Sequence, residues 1–252
     1  MSAAIPVNRN IALDGLRGFG ALIVLFWHTA VVFFPTAAFG SQLPQSRSWQ
    51  LFFYNSPFWL LISGSFAVNL FFVLSGYVLT FKYFRAPDLQ AMVRRILGRW
   101  PRLLIPAGVS TICYFLVAQV YPRYCDTQFL PALRVTGSYS LLPAGICLSS
   151  ESSLAGLLDN LFWRPWFLVP DFSLLYNDVL WTMYVELSGS FIAMFVAITT
   201  ATMASRRVGV VSILVVALVV LFAFPPGYGT YFSMFLAGTA VAFFIDSWFP
   251  FF

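Results

Sequence analysis

Six stretches of this chain are apolar over roughly twenty residues each, which is the length needed to cross a bilayer as a helix. They fall at 18–35, 60–81, 103–121, 179–203, 208–224 and 228–249. In hydrocarbon every backbone N–H and C=O must be satisfied within the segment, so such stretches are helical. The pattern predicts an all-α, polytopic transmembrane bundle of about six membrane-spanning helices. Charged residues make up 9% of the chain, against roughly 25% in soluble domains. The 252 residues are largely consumed by these spans and their connections, so 1–252 reads as a single transmembrane domain without a sizeable soluble one. A formal net charge of +5 is no nucleic-acid signal here, because in a membrane protein the position of the cations matters more than their sum. The expected surroundings are a lipid bilayer and no nucleic acid.

Lys and Arg set the orientation. Arg9, Arg17, Lys82, Arg85, Arg94, Arg95, Arg99, Arg102, Arg206 and Arg207 fall on one side of the predicted spans, and Arg47, Arg123, Arg134 and Arg164 on the other. The richer side is assigned to the cytoplasm, which places both termini there and makes 122–178 an extracytoplasmic loop segment. The first apolar run lacks a small-residue cleavage pattern and is read as a transmembrane helix rather than a cleavable signal. Cys113, within the third span, reads as a small apolar filler. Cys125 and Cys147 both fall in the outward segment, and spacing leaves open whether they form a disulfide or stay free thiols.

Ionisable residues inside apolar spans are costly and mark candidate function. His28 is the only histidine, eleven residues after Arg17. Eleven steps bring both onto one helix face, about 16 Å apart along the axis. Asp14 is spaced to pair with Arg17. Glu186 interrupts the fourth span. Counted from the predicted span ends, it and His28 both lie ~10 Å below the outer surface, the arrangement of a general base with its orienting carboxylate. Arg94, Arg95, Arg99 and Arg102 form a basic cluster before the third span. Three of them, Arg95, Arg99 and Arg102, are spaced for one helix face, and their planar forks suit phosphate. Each of these groups also has a purely structural reading: a histidine bonded to a neighbouring helix, a carboxylate on a hydroxyl, arginines on lipid headgroups. No metal-ligand spacing is present, so no metal is expected.

Four patches carry a resemblance to a known family. They are Leu13-Asp14-Gly15-Leu16-Arg17-Gly18 through Trp27-His28; Phe71-Phe72-Val73-Leu74-Ser75-Gly76-Tyr77; Arg94 through Pro106, with Arg99 and Arg102 as a spaced pair; and Leu180-Trp181-Thr182-Met183-Tyr184-Val185-Glu186. Phe235 to Ala242 is a weaker fifth. Together they resemble membrane-bound acyltransferase family 3, whose members O-acylate carbohydrates, lipids and metabolites. The likeness runs from about residue 11 to 242. It departs in having Asn69 where an acidic residue is common, and about six helices where the family usually has around ten, so that the chain reads as a C-terminally short member. The resemblance implies an acyltransferase that moves groups other than aminoacyl groups. Acyl-CoA would be the donor substrate, with no bound cofactor, and a hydroxyl-bearing molecule the acceptor. Its implied residues are His28 and Glu186 for catalysis and Arg17, Arg99 and Arg102 for the donor's phosphates. Two other functions compete: a proton-coupled transporter relaying through His28 and Glu186, and a non-catalytic membrane scaffold. The acyl group, the acceptor, the membrane and the oligomeric state are not written in the sequence.

Overall fold

The computed structural model describes residues 11–40, 46–120, 153–168, 175–203, 205–225 and 227–248; Cys125 and Cys147 lie outside them. The chain is an all-α polytopic bundle. Its order is α1 (Ile11–Phe33), α2 (Pro35–Phe39), α3 (Ser48–Tyr54), a 3₁₀ turn (Pro57–Ile62), α4 (Gly64–Arg85) and α5 (Leu89–Val120). There follow α6 (Leu154–Phe162), α7 (Arg164–Phe167), a 3₁₀ turn (Asp178–Leu180), α8 (Trp181–Ala201), α9 (Arg206–Ala223) and α10 (Tyr228–Trp248). Helices α1, α4, α5, α8 and α10 are long and apolar enough to cross a membrane, and α9 is apolar but shorter.

The largest departure from expectation is α5. The span predicted at 103–121 is the second part of a 32-residue helix that already begins at Leu89. Asp88 starts it, accepting the Ala91 N–H on its side chain at 2.9 Å. Pro101 and Pro106 sit inside, each removing one i→i−4 hydrogen bond without ending the helix. At 1.5 Å per residue α5 is about 48 Å long, more than the ~30 Å of hydrocarbon, so its arginine-bearing first part extends beyond the apolar layer. Cys113, expected as a packed filler, is exposed on its surface.

The core is built where α4, α8 and α10 meet around Phe235, which is fully buried. Phe235 stacks on Phe72 with ring centroids 5.1 Å apart. Two glycines make the meeting possible. A Cβ on Gly76 of α4 would overlap the Phe235 carbonyl oxygen, and one on Gly189 of α8 would overlap the Phe235 ring. Small residues at helix interfaces let backbones approach in lipid, where no hydrophobic force drives helices together. Helix α9 covers α10, with Ile213 fully buried.

Helix α1 packs on α4 in an antiparallel register. Gly20 faces the Phe71 ring and the Trp27 ring faces Gly64, which sets Arg17 across from Leu74 and His28 across from Ser63. Residues 34–40 and 46–62 fold beside the far end of this pair. There the Trp59 indole N–H donates to the Ala38 carbonyl at 3.2 Å, and the Thr36 and Ser46 hydroxyls pair at 2.5 Å. The segment expected as a loop at 122–178 contains α6 and α7 among its described residues. Trp166 of α7 is 1% exposed and packs with Ala107, Leu180 and Leu187, tying α5 to the start of α8.

Candidate active site

The two glycines that admit Phe235 each have a serine as chain neighbour, and both serines turn to one ionic centre. Ser75 donates to Glu186 Oε1 at 2.8 Å. Arg99 of α5 forms an ion pair with the same carboxylate oxygen through one terminal nitrogen. Its Nε donates to Ser190 Oγ at 3.0 Å, and the Ser190 hydroxyl donates in turn to the Glu186 carbonyl. The carboxylate and guanidinium are largely sheltered, at 14% and 20% side-chain exposure. Arg17, reaching in from α1, lies within electrostatic range of both Glu186 and Arg99. Arg102, one turn beyond Arg99 on α5, lies within range of Arg99. Its guanidinium side chain lies over Gly98 and is exposed.

The structure therefore gathers Arg17, Arg99, Arg102 and Glu186, four of the five residues given catalytic or donor-binding roles by the resemblance. It does not bring His28 to Glu186. The expectation that they share one depth is corrected: among the described residues, the Glu186 carboxylate is bonded by Arg99 and Ser75. The Ser75 contact and the α1–α4 register put it level with Arg17, about 16 Å from His28 along α1. The cause lies in where α8 begins. Helix α5 runs antiparallel to α8, Arg99 meeting Ser190 while Ser110 accepts from Asn177, just before α8, at 2.6 Å. Helix α8 thus parallels α4, yet Ser75 is eleven residues past Gly64 whereas Glu186 is five past Trp181. That difference of six residues starts α8 about 9 Å deeper than α4. At that end α7 packs on the start of α8, with Trp166 against Leu180 and Leu187.

His28 is exposed on α1, at the end of the line that starts from half-buried Arg17. Trp27 beside it is held at 5.3 Å, edge-on, by Phe39. The imidazole stands on the outside of the bundle, and the arginine layer lies three turns away along α1. Chemically, α1 contributes Arg17 to a cation-rich layer at one level and carries a proton acceptor at another.

Sequence reading missed Ser75 and Ser190 as members of the site. Ser190 was findable, since it follows Glu186 by one helical turn. Ser75 is 111 residues from Glu186, and its place in the Phe71–Tyr77 patch does not name that partner. Trp100, next to Arg99, was also missed; its indole N–H is buried without a hydrogen-bond partner among the described residues.

The family model described as an acyltransferase domain matches residues 10–252, almost the whole chain, and the chain belongs to membrane acyltransferase family 3. Neither a curated protein nor a solved structure matches it significantly.

Proposed function

We propose that this acyltransferase moves an acyl group from acyl-CoA to a hydroxyl of a carbohydrate, lipid or small metabolite. The observation that carries the reading is the distance between a guanidinium-rich layer, to which α1 contributes Arg17, and the lone imidazole farther along the same face of α1, about 16 Å away. A thioester donor with phosphates at one end of a long, flexible arm and the acyl carbon at the other has that shape. The phosphates bind in the arginine layer through charge-assisted hydrogen bonds. The arm runs along α1, and the thioester carbonyl reaches His28. The acceptor hydroxyl gives its proton to the neutral imidazole as its oxygen attacks the carbonyl carbon. The carbon–sulfur bond then breaks, the leaving thiolate takes the proton back from the imidazolium, and an ester and free coenzyme A remain. The excess of Lys and Arg at the Arg17 end supports a cytoplasmic donor side with both termini cytoplasmic.

The test is incubation of the reconstituted protein with acyl-labelled acyl-CoA and a panel of hydroxylated acceptors. Label on an acceptor, or slow hydrolysis releasing free thiol, supports the reading. Proton-coupled uptake into vesicles without release of thiol overturns it in favour of transport. In the same assay Arg102→Ala is expected to raise the donor KM by about tenfold or more, the range of one charged hydrogen bond. The acceptor KM should hardly move. An unchanged donor KM would remove Arg102 from the donor site.

A further inference from the structure

The arginines of this layer are not equivalent. Arg99 spends its Nε on Ser190 and a terminal nitrogen on Glu186. Ser75 donates to the same Glu186 oxygen from α4. These four residues come from three helices, and each serine adjoins a glycine that sets the packing on Phe235. In this arrangement the Arg99 charge is matched by Glu186 and each partner also bonds a serine hydroxyl, the condition under which a sheltered pair is tolerated. Arg102 is exposed and Arg17 half-exposed. Arg99 and Arg17 lie within electrostatic range of Glu186, and Arg102 within range of Arg99, so among these four side chains positive charge exceeds negative by two. We infer that Glu186 is a built-in counter-ion that takes Arg99 out of ligand binding, so that Arg17 and Arg102 alone meet the anionic end of the donor. Arg99, Glu186, Ser75 and Ser190 are then positioning residues. They clip α5 to α8 and α4, and so set where Arg102, one turn along, stands.

This inference rests on the donor reading for the identity of the ligand, but its own content is charge balance, which has a distinct signature. Arg99→Met leaves an unpaired carboxylate facing the ligand and reduces the surplus to one charge. Glu186→Gln raises it to three. Arg99→Met with Glu186→Gln restores two. Binding of coenzyme A to the reconstituted full chain, followed by calorimetry at low and moderate salt, reads the outcome. Arg99→Met is expected to weaken binding about tenfold and Glu186→Gln to tighten it about threefold. The double variant should return to within about threefold of the native protein, a strong departure from additivity. The tightening in Glu186→Gln should fade with added salt, as a charge effect does.

If Arg99 grips phosphate itself, the double variant stays at least tenfold weak, and the inference is overturned. An uncompensated carboxylate in Arg99→Met can itself unfold the protein. The comparison of the double variant with the native protein decides the question without that single variant. Inorganic tripolyphosphate serves as a second probe. Binding of tripolyphosphate without binding of coenzyme A ends the donor reading while the same three variants still score the charge balance. Failure of the native protein to bind either anion overturns both.

Discussion

His28→Ala is expected to cut transfer from acyl-CoA by about 10²–10⁴-fold, the range contributed by a positioned general base. The chain holds no other imidazole to substitute for it. The side chain is exposed and lies outside the buried core, which on α1 consists of Gly20, Ile23, Ala30 and Val31. Truncation should therefore leave helicity and the elution profile in detergent unchanged, separating a chemical defect from a folding one. A base must be neutral to accept a proton. Transfer by the native protein should thus fall on the acid side along a single-proton limb, and the residual activity of the variant should lack that limb. Donor binding should persist, because the arginine layer is about 16 Å away along the helix. Undiminished transfer by the Ala variant would take the base assignment away from His28.

Much of the bundle was legible because lipid simplifies the code. An apolar run of spanning length has to be helix, so the helices came out where the runs are, within a few residues at most ends. The exceptions have physical causes. Helix α1 begins at Ile11 rather than at 18, since Asp14 and Arg17 extend the helix past the hydrocarbon instead of ending it. The first part of α5 carries too many arginines to register as a span, yet is continuous with one, and hydropathy measures apolarity rather than helix continuity. The site was half legible. Arg17, Arg99, Arg102 and Glu186 stand out as charges in or beside apolar sequence, and they do converge. Their partners did not stand out, because Ser75 and Ser190 are ordinary small residues in a span. The error over Glu186 came from measuring every helix from a common surface. The turn before α8 and Trp166 lower that helix by about two turns, and no periodicity along α8 records it.

The second large effect is expected at Gly76. A side chain there has nowhere to go, since its Cβ would overlap the Phe235 carbonyl oxygen, which is backbone and cannot rotate aside. That carbonyl is further held by the Thr239 hydroxyl at 3.0 Å, as the Gly76 carbonyl is by Thr80 at 2.8 Å. Gly76→Leu must push α4 off α10, and with Ser75 next in the chain it also withdraws the hydroxyl from Glu186. The cost should be about 3 kcal/mol or more, at the upper end of what overpacking a core produces. It should appear as a marked drop in the temperature at which the solubilised protein aggregates, together with loss of transfer. Gly18→Ala is the matched control. Nothing lies within 4 Å of its added Cβ, and replacing a helical glycine with alanine favours the helix by up to about 1 kcal/mol. Its thermal stability should be equal or higher. If Gly76→Leu melts with the native protein, α4 and α10 do not approach as closely as described. The alignment of Ser75 with Glu186 would then need another cause.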